Sequence, residues 1–309
     1  MLDSTMIMIK NIFSLFILPA IIIITSPEVK ATSVAERDSL ITGFFRELYS
    51  FSFHKADSVA ASFNSSEIDP QTLYNLKANL AWWHLISGDD QQKSINSCEN
   101  YIKQSLNEGL KRGDDVKQVY LGIVSAYSLK ARLENYRGNS LKSMSGFYKS
   151  ISYIRKLSDI DSHDEKILLA LGLYYYFTGY FESRNVILNA ITYPFLKGDT
   201  EKGLAYLQMC SQSKNEMIRT EASYFLLKIY TSTEKKYLTA LSYALILTSA
   251  YPDNMIYQLE ALRVLSGLER KSELAATGDL LRQRILNSKD LNSFQKNHLI
   301  SQIDEISKK

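Results

Sequence analysis

The stretch 216–254, EMIRTEASYFLLKIYTSTEKKYLTALSYALILTSAYPDN, decides the fold. In its first half Ile218, Ala222, Phe225, Leu226 and Ile229 stand at i, i+4, i+7, i+8 and i+11, which lines them up on one face of a 3.6-residue helix. In its second half Tyr237, Leu241, Ala244, Leu245 and Thr248 repeat those offsets, and Tyr251-Pro252-Asp253-Asn254 closes the pair. Two such amphipathic helices expose too much apolar surface to stand alone, so the hairpin predicts stacking against others like it.

Working outward, the pattern recurs. Asp69-Pro70 reads as an N-cap followed by proline at the first helical position, and Leu73, Leu76, Leu80 and Trp83 mark the stripe that follows. Gly88-Asp89-Asp90 makes the turn to a partner helix with Ile95, Cys98, Ile102 and Leu106. The next pair carries Tyr120, Val124, Tyr127 and Ala131, then Leu141, Met144, Tyr148 and Ile151 after a turn at Gly138-Asn139. Ser162 and Glu165 form a capping-box pattern before Ile167, Leu171, Tyr174 and Tyr175, and the partner helix starts at Asp199 with Gly203, Leu207 and Cys210. Beyond residue 254 come Ile256, Leu259 and Leu262, then Leu274, Gly278, Leu281 and Ile285. Phe294, Leu299, Ile303 and Ile306 predict a closing helix, and residues 36–64 are expected to cap the other end. Prolines after residue 31 are confined to Pro70, Pro194 and Pro252, which suits an all-helical chain. The expected fold is all-α: an elongated, right-handed α-solenoid of about six hairpins plus capping helices, with its inner curve free.

Residues 1–31 read as a signal peptide, with Lys10 ahead of an apolar run over 12–24 and Val29-Lys30-Ala31 offering a cleavage site. Translation from Met6 or Met8 would give a tidier start. An uncleaved anchor is the alternative, although the run falls short of the ~20 residues that cross a bilayer and Pro19 interrupts it. No lipobox cysteine follows. Residues 32–309 are then one domain, periplasmic or secreted, with no later transmembrane segment. The cysteines, Cys98 and Cys210, are read as buried apolar residues rather than a disulfide. A net charge of +3 with no basic run longer than two residues argues against nucleic acid.

Ala240 and Pro252, twelve residues apart, keep the spacing of the tetratricopeptide repeat (TPR) consensus, which the chain resembles most strongly in this pair and only in degenerate form elsewhere. The strings over 170–176, Gly198-Asp199 with Gly203-Leu204, Glu221-Ala222 with Ile229-Tyr230, and Tyr251-Pro252-Asp253-Asn254 are similar to uncharacterised exported bacterial TPR proteins. A more distant likeness is to the eukaryotic mitochondrial outer-membrane and lipid-droplet TPR family. The resemblance implies a scaffold or adaptor, with no catalytic residue, cofactor or metal ligand to carry over.

Residues 178–198 form an insertion in the fourth hairpin that is long for a connection between paired helices. Together with the tyrosines before it, the insertion supplies the candidate binding residues Tyr175, Tyr176, Tyr180, Phe181, Arg184, Tyr193 and Phe195. Aromatic rings with polar tips suit a peptide, glycan or lipid groove. A short extra helix filling the hairpin is the plainer alternative, and most of the twenty tyrosines are expected in packing. Trp83 lies on an apolar stripe, whereas an exposed Trp82 would point to sugar stacking. His54, His84, His163 and His298 show no ligand spacing. The preferred expectation is a non-catalytic exported adaptor that docks a peptide or envelope protein on its concave face. A small-ligand protein holding glycan or lipid beside the insertion is the alternative, and a hydrolase on a helical scaffold a distant third.

Overall fold

The computed structural model describes residues 34–63, 68–111, 116–160, 163–183 and 197–308. Among them the chain is all-helical. The elements are α1 (Val34–Tyr49), α2 (Phe53–Ser62), α3 (Pro70–Ile86), α4 (Gln91–Lys111), α5 (Val116–Tyr136), α6 (Ser140–Ile160), α7 (Glu165–Glu182), α8 (Thr200–Cys210), α9 (Glu216–Lys228), a π-helical turn (Ile229–Thr233), α10 (Tyr237–Ala250), α11 (Met255–Gly267), α12 (Lys271–Asn287) and α13 (Ser293–Ser307). The signal-peptide reading and most of the 178–198 insertion fall outside the described residues, as do Ser162 and the side chains of Leu141 and Met144.

Local signals set the helix starts. The Asp69 carboxylate accepts from Thr72 N–H with Pro70 in the first turn, and Asp199 accepts from Lys202 N–H. Gly88, with φ +85°, turns the chain between α3 and α4. Consecutive helices pack as pairs: α3 with α4, α5 with α6, α7 with α8, α9 with α10, and α11 with α12. Where α7 crosses α8, a Cβ on Gly203 would lie 2.4 Å from the Tyr176 nitrogen, so only glycine allows that approach.

The two members of a pair are buried differently. Helices α3, α5, α9 and α11 bury residues around most of their circumference, whereas α4, α10 and α12 bury a single stripe. The first set therefore forms an inner layer and the second an outer one. Inner helices distant in sequence touch: the Trp83 ring lies 6.1 Å from Tyr257, Tyr224 lies 5.4 Å from Tyr257, and the Arg132 guanidinium is 6.0 Å from the Phe225 ring.

The helices at the two ends meet as well. Tyr49 of α1 packs against Trp83 and Tyr251 at 6.1 and 5.6 Å, and its backbone carbonyl accepts from Asn254 at 2.8 Å. From α13, Gln295 donates to Ser87 Oγ at 2.9 Å, and the amide of Asn292, just ahead of the helix, donates to Asp89 at 2.6 Å. In place of the expected elongated array with a free inner curve, the end helices fold back onto the middle of the chain: α1 packs inward on Trp83 and the α10–α11 junction, and α13 is tied to the turn between α3 and α4. Tyr224 and Tyr257 lie off the apolar stripes read for their helices, and their rings meet each other and Trp83.

Three further expectations change. Helix α9 is buried on nearly every side, including Glu221, Tyr224 and Lys228, rather than along one stripe. In α10 the buried line is Ala240, Ala244 and Leu247, while Leu245 is exposed. Phe294 is exposed, while Leu299, Ile303 and Ile306 are buried as expected. Cys98 and Cys210 are both free and buried, and burial pushes each thiol up to about 12. No helix among the described residues is long and apolar enough to cross a membrane.

Candidate functional site

A cavity of about 690 Å³ opens where the carboxyl ends of α3, α5 and α9 converge. Ile86, Tyr136, Lys228 and Ser232 come from those ends, and α11 and α13 wall it along their length. One ion pair organises its floor. Lys228 Nζ donates to Glu260 Oε1 at 2.9 Å, with both side chains more than nine-tenths buried. Burial alone would raise the Glu260 pKa, but the Lys228 and Arg263 charges outweigh it and hold the carboxyl below its ordinary range. Arg263 Nε lies 3.6 Å from the same oxygen.

From there a polar chain crosses to α13. Arg263 Nη2 donates to Gln302 Oε1 at 2.7 Å, which fixes the amide and points Gln302 Nε2 at His298 Nε2, also 2.7 Å away. The ring nitrogen therefore accepts, and the imidazole is neutral with its proton on Nδ1. Burial lowers the His298 pKa, against the opposing influence of the Ile86 carbonyl and Glu305.

The π-helical turn lies on the rim, where one residue more than the α-helical count lets Thr231 and Ser232 line the cavity. Thr231 Oγ1 donates back to the Leu227 carbonyl at 2.7 Å. A second cavity of about 700 Å³ between α12 and α13 shares Ser266 and Glu269 with the first.

Deeper inside, Tyr49 Oη donates to Glu221 Oε1 at 2.5 Å, and the other carboxylate oxygen has no hydrogen-bond partner among the described residues. Burial raises the Glu221 pKa, with the Tyr49 hydrogen bond and Arg132 opposing. Arg132 is fully enclosed too, and burial lowers its pKa against Glu221.

The residues singled out from sequence lie elsewhere. Tyr176 is fully buried, its hydroxyl donating to Glu234 at 2.7 Å and its ring stacked 6.2 Å from Tyr180, itself buried. Tyr175 is half-buried under the Lys202 ammonium, 4.3 Å from its ring centroid. The side chain of Phe181, together with Arg184, Tyr193 and Phe195, falls outside the described residues, so Tyr175, Tyr176 and Tyr180 are the members of that set that can be placed. Trp82 is buried against Tyr136 at 6.3 Å, which removes it as a sugar platform. Glu165, whose expected capping-box partner Ser162 lies outside the described residues, accepts from Ser213 Oγ at 2.5 Å.

The sequence reading passed over Lys228, Glu260, Arg263 and Gln302, and placed His298 only among histidines without ligand spacing. The available signal was a lysine inside Phe225-Leu226-Leu227-Lys228-Ile229 and a glutamate between Leu259 and Leu262, each interrupting an apolar run in adjacent hairpins. No three His, Cys, Asp or Glu side chains among the described residues gather as metal ligands. No family model, curated protein or solved structure matches the chain.

Proposed function

We propose that this is a non-catalytic binding scaffold, exported by its N-terminal signal, whose ligand is a small polar molecule held in the cavity between α9, α11 and α13. The observation that carries the reading is the cavity itself: about 690 Å³ falls within the ~300–1,000 Å³ of small-molecule sites, and a buried ion pair forms its floor. Its lining combines apolar walls from Ile86, Ile256 and Ile306 with a few polar groups from Lys228, Arg263 and Gln302, the mixture that fixes orientation without reacting. Lys228, Glu260 and Arg263 are engaged with one another and burial lowers the His298 pKa, an arrangement suited to holding a ligand rather than turning it over.

A TPR-like, right-handed array of about six hairpins is part of the same proposal. Sequential pairing of the helices supports it, as do the fully buried Ala240 at a helix crossing and Pro252 just past the end of α10. Docking a peptide or envelope protein on a concave face has less support, because the inner-face residues Trp83, Tyr224 and Tyr257 are enclosed.

Native mass spectrometry of the gently purified protein, followed by denaturation and small-molecule analysis, tests the reading. A stoichiometric compound is expected, and it should be lost in Ser266→Trp, which fills the cavity from its rim. A compound retained unchanged in that variant, or none from any preparation together with no melting shift across a metabolite panel, would overturn it.

A further inference from the structure

Helix α10 has the composition of a buried helix in an exposed place. From Tyr237 to Ala250 it contains no charged residue, whereas each of the other outer helices α4, α6, α8 and α12 carries charges such as Lys93, Lys149, Glu201 and Arg282. Its inner stripe of Ala240, Ala244 and Leu247 is buried. Its outer face is not: Leu238, Leu245 and Ile246 are 72%, 57% and 49% exposed, in line with Ser242 and Ser249. A helix uncharged on every side is one that something covers.

The pattern of that face selects the occupant. Leu238, Ser242, Leu245 and Ser249 fall at i, i+4, i+7 and i+11, a single stripe in which large and small residues alternate. Laid antiparallel on itself about the point between Tyr243 and Ala244, the stripe places Leu238 opposite Ser249 and Leu245 opposite Ser242, with Ile246 opposite Leu241. Every large side chain meets a small one along the central seam, as a two-fold contact requires.

The charges at the two ends agree. Lys235 and Lys236 precede the helix and Asp253 follows it, all exposed. The same antiparallel register brings the Glu234-Lys235-Lys236 end of each copy, net positive, to the Asp253 end of the other, with Asp253 opposite Glu234 and one position from Lys235. A parallel arrangement would set lysines against lysines. Lys236 already has Glu234 at 3.8 Å, which leaves Lys235 as the freer partner.

We propose that the outer face of α10 is a dimer interface, occupied by the α10 of a second copy in antiparallel register. A 14-residue helix is about 21 Å long. One such helix pair sits at the small end of specific interfaces, so the dimer should dissociate with a constant on the order of micromolar.

Sedimentation velocity on the full chain from about 1 to 200 µM tests this. A monomer–dimer transition is expected in that range. Leu245→Arg should abolish it with melting temperature unchanged, because that side chain touches solvent in the monomer. Lys235→Glu with Lys236→Glu should weaken the dimer at least tenfold, and adding Asp253→Lys should restore it. A chain monomeric throughout the range, or a dimer indifferent to Leu245→Arg, overturns the proposal. So does flotation of a monomeric chain with phosphatidylcholine vesicles that Leu245→Arg removes, which would assign the face to lipid instead.

Discussion

The side-chain amide of Asn254 donates to the backbone carbonyl of Tyr49 at 2.8 Å, while its own oxygen accepts the N–H groups of Ile256 and Tyr257 at 3.0 and 3.1 Å. One buried residue therefore caps α11 and fastens it to the end of α1, 205 positions away in sequence. Losing a cap costs about 1 kcal/mol, and leaving a buried carbonyl without a donor costs about 1–3 more. Asn254→Ala should lower unfolding free energy by about 2–4 kcal/mol in urea. Asn254→Asp keeps the cap but sets a buried carboxylate oxygen against the Tyr49 carbonyl, so it should be no more stable than Asn254→Ala.

Two glycines in helices should respond oppositely to alanine. Nothing lies within 4 Å of a Cβ at Gly43, so Gly43→Ala should stabilise α1 by up to about 1 kcal/mol. At Gly203 the same methyl would strike the α7 backbone, which cannot yield as a side chain can. Gly203→Ala should destabilise by about 1–3 kcal/mol despite its better helix propensity. Thermal melts of both variants provide the comparison.

Cutting one partner from the Lys228–Glu260 pair should cost far more than replacing both. Lys228→Met leaves the buried Glu260 carboxylate with Arg263 as its remaining cation, and a loss of about 3 kcal/mol is expected. Lys228→Met with Glu260→Gln removes the uncompensated charge and should recover most of that loss. A double-mutant cycle in guanidinium measures the difference.

Stability should be higher at pH 6 than at pH 9, with two groups contributing in the same direction. Burial opposes charge on His84, but Asp57 and Asp89 on either side outweigh it and raise its pKa, so its contribution is complete below the unfolded value and is lost as pH rises through the folded one. Burial likewise raises the Glu221 carboxyl, to about 8, so the folded chain prefers it protonated and weakens as it ionises. Glu221→Gln should melt above the natural protein at pH 9 by more than at pH 6, where part of the loss is already present because the unfolded carboxyl ionises near 4.5. An equal gap at both would contradict this account of the interior.

The legible part of the fold was local. Asp69-Pro70, Gly88-Asp89-Asp90 and Asp199 announce helix starts and turns through caps and φ preferences that act within four residues, and these formed as the sequence implies. The curling of the array has no such signal, because it depends on Tyr49 finding Trp83 and Tyr251, and on Gln295 finding Ser87. For the same reason α9 looked amphipathic: Glu221 and Lys228 mark a wet face only until Tyr49 and Glu260 arrive to pair with them. The stripe assigned to α10 was displaced by one position, since Leu245 and Leu247 are indistinguishable until the partner helix chooses Leu247. The cavity was invisible because its polar residues come from separate hairpins and a terminal helix, and each appears alone as an ordinary surface residue.

Closure of the helical array upon itself is most directly tested by small-angle X-ray scattering of the monomer at low concentration. A compact fold of this length predicts a radius of gyration of about 19 Å with a single symmetric distance distribution. A radius several ångströms larger, with a distribution drawn out to long distances, would mean that α1 and α13 do not meet the middle of the chain and that the inner face is open.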